Sequence, residues 1–161
     1  MDFAQRLEKI IANLYSFSQI DILHQWSCGG DESNSQLLPL NEKGIIAFDR
    51  GGTHPARNRH IHIQQTWRIP ESVNGLSTKG ATLRLSLLWW ASLAEIYING
   101  NKIHTGDLFD QKCRLLLAEN VDLDRTFTFD LKLTAPKHDR GALQKSEILL
   151  NIPINSAIQV N

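Results

Sequence analysis

Leucines at every second position dominate the middle of the chain: Leu83, Leu85 and Leu87 share one side of an extended segment, with Arg84 and Ser86 on the other. Phe127, Phe129, Leu131 and Leu133 repeat the pattern against Thr128, Asp130 and Lys132. Successive side chains of a strand point to opposite faces, so this spacing calls for sheets with one buried face each. Short segments rich in branched and aromatic residues follow the same rule at 45–48, 60–69, 94–100 and 147–154. Turn formers separate them: Gly51-Gly52, Pro70, Asn74-Gly75, Asn99-Gly100 and Pro136. No helical pattern lies between these strands, which argues against a parallel βαβ sheet. The expected fold is mainly β, an antiparallel β-sandwich of jelly-roll type. Asn99-Gly100 sits where a two-residue type I′ hairpin turn needs two positive φ angles.

The N-terminus follows a different period. Phe3, Leu7, Ile10, Ile11, Leu14 and Phe17 fall within an arc of about 120° at 100° per residue, the stripe of an amphipathic helix. Asp2 stands at the N-cap and Gln5 at the matching capping-box position, and the helix is expected to fade near Ser18. Its apolar stripe requires cover, from this domain or from a partner. The polar, glycine-containing stretch 27–35 reads as a loop between helix and sandwich. The expected organisation is a helix and connector over 1–26, followed by a β-sandwich domain over 36–161. A chain of 161 residues suits one core, since two would each be thin.

Lysine plus arginine equals aspartate plus glutamate at 17 each, so the basic excess that nucleic acid or an anionic membrane demands is missing. No apolar run approaches the roughly 20 residues of a transmembrane helix, and the first residues lack the apolar core of a signal peptide. Cys28 and Cys113 then read as free thiols, Cys113 as a small buried residue, and the expected location is cytoplasmic.

Several residues invite a chemical reading. His60 and His62 lie on one strand face, but zinc needs three or four ligands and no others accompany them, so an ordinary polar face is the better account. Arg50, Arg57 and Arg59 crowd a glycine-containing loop that fits an anion, an acidic surface or plain solvent. Trp89 and Trp90 are adjacent, so one ring enters the core and the other faces a domain interface, a sugar or solvent. Asp107 and Asp110 are three apart, a spacing that suits turn or cap roles better than the carboxylate pair of a glycosidase. His138, Asp139 and Arg140 occupy a charged turn that reads as a contact loop or as a solvated one. No G-x-S-x-G elbow or other catalytic set assembles, so no catalytic, cofactor-binding or metal-binding residue is assigned.

A resemblance sharpens this reading. The element Trp67-Arg68-Ile69-Pro70, the leucine-rich strand after it and the hairpin around Asn99-Gly100 resemble the galactose-binding-like jelly roll appended to many glycoside hydrolases. Residues 106–117 (GDLFDQKCRLLL), 131–148 (LKLTAPKHDRGALQKSEI) and the helix 6–15 look like the N-terminal region of cyanobacterial-type α-mannosidases of glycoside hydrolase family 38. The resemblance implies a non-catalytic domain that packs on a catalytic domain absent from this chain. Zinc would be expected only in that catalytic domain, because the family's His-x-Asp zinc segment has no counterpart here. The implied partners are the catalytic domain and, secondarily, mannose-containing glycans. An independent carbohydrate-binding module is the alternative, and a protein-interaction module working through the helix a third. Under these readings Trp89, Trp90, Arg50, Arg57, Arg59, His138, Asp139 and Arg140 are the contact candidates.

Overall fold

The computed structural model describes residues 2–28, 37–49 and 60–152. Helix α1 (Phe3–Phe17) is followed by β1 (Gln19–Asp21), a 3₁₀ turn (Leu23–Gln25), β2 (Ser27–Cys28), β3 (Ile46–Phe48) and β4 (His60–Arg68). Then come β5 (Ser72–Val73), β6 (Leu76–Ser77), β7 (Thr82–Trp90), β8 (Leu93–Ile98), β9 (Asn101–Gly106), β10 (Lys112–Ala118), β11 (Thr126–Thr134) and β12 (Gly141–Asn151). One sheet runs β1-β12-β7-β10, with β3 also on β12, and the other runs β2-β4-β11-β8-β9. All these pairings are antiparallel. The molecule is the expected antiparallel β-sandwich with an N-terminal helix.

The alternation read from the sequence is the core. Leu83, Leu85, Leu87 and Trp89 project inward from β7, and Phe127, Phe129, Leu131 and Leu133 from β11, all buried in one cluster. Burying each such side chain contributes roughly 1.5–3 kcal/mol. Phe127 stacks between Trp67 and Phe129, at ring separations of 6.3 Å on both sides.

The connector after the helix is woven into this core. Gln19–Asp21 pairs with β12 and Ser27–Cys28 with β4. Trp26, between them, is fully buried against Phe129, and its indole N–H donates to Ser146 Oγ at 3.0 Å. The polar stretch expected to be a loop at 27–35 therefore opens with two strand residues; 29–36 lie outside the described residues.

Two elements depart from the sequence pattern for physical reasons. Strand β10 was hidden because Leu115, Leu116 and Leu117 run together and mask the alternation of its faces. Strand β12 starts at Gly141 rather than near Glu147, because a bulge between Leu143 and Lys145 breaks the period of two. The turns follow their chemistry. Asn99 and Gly100 take φ of 49° and 81°, and Asn74 and Gly75 take 51° and 82°, as two-residue hairpins require.

Helix α1 is capped as its sequence requires: Gln5 N donates to Asp2 Oδ1 at 2.8 Å, and Asp2 N to Gln5 Oε1 at 3.1 Å. The first part of its stripe, from Phe3 to Ile11, is not covered. Phe3 is 81% exposed, and Leu7, Ile10 and Ile11 are exposed as well. Ile11 borders a cleft of about 800 Å³ that Arg84, Arg114 and Leu149 line from the outer face of the first sheet. Among the described residues no helix is long and apolar enough to cross a membrane.

Candidate functional site at one end of the sandwich

Strand register collects the chemistry-bearing residues at a single end. Trp90 pairs with Ala142, Lys112 with Leu88, and Thr134 with Leu93. The connections 91–92, 107–111 and 135–140 therefore leave the sheets side by side. Phe48, opposite Gly141, and His60, opposite Thr134, end and begin their strands at the same level.

At this end the two adjacent tryptophans part company. Trp89 is fully buried and its indole N–H donates to the Asp107 carbonyl at 3.3 Å. Trp90 faces outward and is half-buried. Its N–H donates to Asp139 Oδ2 at 3.1 Å, and His138 stands edge-on to its ring, 6.0 Å away at 87°. The second oxygen of Asp139 accepts the Arg140 backbone N–H at 2.8 Å. Trp90, His138 and Asp139 thus form one cluster, with Arg140 exposed beside it. Arg50, Arg57 and Arg59 lie outside the described residues.

The neighbouring turn 107–111 is built tightly. Asp107 Oδ1 accepts the N–H groups of Phe109 at 2.8 Å and Asp110 at 3.0 Å, while Asp107 N donates to the Asp110 carbonyl at 3.1 Å. Asp110 Oδ2 lies 3.2 Å from His104 Nε2. The turn and cap roles expected for Asp107 hold. Gly106 is required here: a Cβ at that position would enter the Trp89 ring and crowd the Asp110 carbonyl. This turn presents Phe109 wholly to solvent, at 100% exposure. Phe109 carries little signal in the sequence, where it is one aromatic between two aspartates in a turn-forming segment.

The remaining candidates are occupied elsewhere. His60 Nδ1 lies 2.7 Å from Thr134 Oγ1, and His62 Nε2 lies 2.9 Å from Asp130 Oδ1, on the outer face of the second sheet. On that face Glu95 accepts from Lys102 at 3.0 Å and from the Tyr97 hydroxyl at 2.9 Å. The Lys102 bond foremost, with the Tyr97 hydroxyl, holds the Glu95 carboxyl below the usual carboxylate range. Among the described residues no group of three or more His, Cys, Asp or Glu side chains is arranged to hold a metal ion. Both cysteines are free thiols, Cys28 exposed and Cys113 buried, and burial pushes the Cys113 thiol up to about 12.

No protein-family model matches the chain, and no curated protein matches it. Solved structures do share its fold. A calcium-binding mutant of Bacteroides uniformis beta-glucuronidase 2 is similar at a TM-score of 0.57 and 16% identity, over 84% of this chain and 18% of that one. A glycosyl hydrolase family 2 member from Bacteroides cellulosilyticus gives 0.56 and 10%, over 83% and 21%. Ruminococcus gnavus beta-glucuronidase in complex with D-glucaro-d-lactam gives 0.55 and 11%, over 84% and 29%. The chain spans between 18% and 29% of the length of these enzymes.

Proposed function

We propose that this chain is a non-catalytic accessory domain of a glycoside hydrolase and works by packing on a catalytic region that it does not contain. The observation that carries the reading is fractional coverage: a sandwich matched over 84% of its length corresponds to 18% of a complete glycosidase. The exposed apolar residues Phe3, Leu7, Ile10 and Ile11 of α1 and the outward aromatic residues at the loop end are the surfaces such packing would use.

The finer assignment, to an α-mannosidase, rests on the sequence segments 106–117 and 131–148. The fold neighbours belong to a different glycosidase family, and at 10–17% identity they speak for architecture rather than substrate. Reading the gene on both sides of this segment tests the proposal. A glycosidase catalytic region in the same frame, or in an adjoining gene, is expected. A free-standing gene with no glycosidase beside it would overturn the reading.

An independent carbohydrate-binding module is the second reading, favoured by one observation. The Trp90 ring is fixed by Asp139 and flanked by His138, the combination of a flat aromatic surface and polar groups that a pyranose uses. Titration with mannose and short mannosides decides it: millimolar ligand must shift the Trp90 indole resonance, and no shift removes this reading.

A further inference from the structure

We propose that the cleft between α1 and the outer face of the first sheet binds an amphipathic organic anion, its anionic head on Arg84 and Arg114 and its apolar body along Leu149. The inference stands apart from the accessory-domain reading and gives the chain a ligand of its own.

Strand register brings the two arginines together. Arg114 pairs with Ser86 and Leu116 with Arg84. Both arginines therefore project from one face at diagonal positions, with Cα atoms about 7–8 Å apart. Two guanidinium forks on long stems can meet one carboxylate or phosphate from that spacing. Leu149 pairs with Arg84 from the other side and sets an apolar surface directly beside the charges. Ile11 of α1, Leu76 of the β5–β6 hairpin and Ile152 after β12 wall the cleft, whose volume is about 800 Å³. Small-molecule sites ordinarily measure roughly 300–1,000 Å³.

The charges in this cleft are unanswered. Among the described residues no carboxylate pairs with Arg84 or Arg114, and neither guanidinium donates a hydrogen bond. Arg84 is nonetheless half-buried, and an arginine cannot shed its charge by losing a proton. The two acids on the same face are engaged elsewhere. Glu147 lies 3.6 Å from Lys145 Nζ, and Asp21 Oδ1 accepts the Leu23 N–H at 2.9 Å. The outer face of the second sheet shows the contrast, with Lys102 on Glu95 and His62 on Asp130. Two cations without counter-charges beside an apolar wall complement a ligand that carries both an anionic head and an apolar body. An inorganic anion would leave the wall wet, and a nucleic acid needs a broader basic surface than two arginines in a chain of zero net charge.

The test titrates the whole chain with decanoate and follows its backbone amide resonances, with decyl phosphate, decanol and acetate for comparison. Decanoate is expected to bind with a millimolar or tighter Kd and to shift Leu76, Leu149 and Ile152 most. Tighter binding of decyl phosphate makes the preferred head a phosphate, and weaker binding makes it a carboxylate; both support the site. Decanol, which lacks the charge, and acetate, which lacks the body, should each bind about tenfold more weakly or worse. Arg84→Gln and Arg114→Gln should each raise the decanoate Kd about tenfold at an unchanged melting temperature, and Arg84→Lys by less. Arg114 is exposed, so its variant keeps the test decisive even if Arg84→Gln fails to fold. Decanol binding as tightly as decanoate, or Arg114→Gln binding decanoate like the parent, would overturn the proposal. Attachment to phosphatidylglycerol vesicles that Arg114→Gln abolishes, with free decanoate unbound, would assign the arginines to a lipid surface and overturn it too.

Discussion

The indole N–H of Trp90 donates to Asp139 Oδ2 across 3.1 Å, joining the outward face of β7 to the turn that leads into β12. This bond fixes the one outward-facing tryptophan ring of that strand in a single orientation at the loop end. Asp139→Ala should shift the Trp90 indole N–H resonance and leave that of Trp89 in place. The stability loss should stay near 1 kcal/mol, since the carboxylate is exposed and water can replace it. Equal movement of both indole resonances would contradict this geometry.

Ser146 is the partner of the buried Trp26 indole and ties the connector to β12. Ser146→Ala leaves that N–H without an acceptor in the core and should cost about 1–3 kcal/mol in chemical denaturation. A neutral result would mean that the connector is not held by this bond.

Gly106 has no room for a side chain beneath the Trp89 ring. Gly106→Ala should therefore destabilise the fold by about 1–3 kcal/mol through overpacking, and should also disturb the 107–111 turn. Gly100→Ala meets open space but a positive φ, so its smaller loss comes from the backbone alone. Urea melts of the two variants separate these causes.

The two thiols should behave oppositely. Cys28 is exposed and should react with an aromatic disulfide reagent in the folded protein, whereas Cys113 should react only on unfolding. Burial lifts the Cys113 thiol to about 12, above the roughly 8.5 of an unfolded cysteine, so the native state keeps a proton that the unfolded chain releases. Its share of stability is complete below about pH 8.5 and falls as pH rises toward 12, with a limiting slope of about 1.4 kcal/mol per pH unit. Cys113→Ala should flatten that alkaline slope in denaturation curves measured between pH 8 and pH 10.

The parts legible in the sequence are those governed by local rules. Strands β7 and β11 announce themselves by alternation, the hairpins at Asn74-Gly75 and Asn99-Gly100 by residues that accept positive φ, and α1 by its stripe and the Asp2–Gln5 cap. What escaped depends on tertiary partners. β10 conceals its faces in a run of leucines, and the bulge in β12 resets its register. Ser27–Cys28 becomes a strand only because β4 lies beside it. At the loop end, Trp90, His138 and Asp139 were singled out separately, but their meeting follows from the pairing of Trp90 with Ala142. Phe109 carried almost no signal, because exposure of a single aromatic is decided by how the surrounding turn folds.

The proposed accessory role is tested most directly by calorimetric titration of this chain into the glycosidase catalytic region that the proposal expects in the same or an adjoining gene. A one-to-one complex, a negative heat-capacity change from burial of apolar surface, and a raised melting temperature for the catalytic region are expected. No heat at micromolar concentrations, with the catalytic region's melting temperature unmoved, would contradict it.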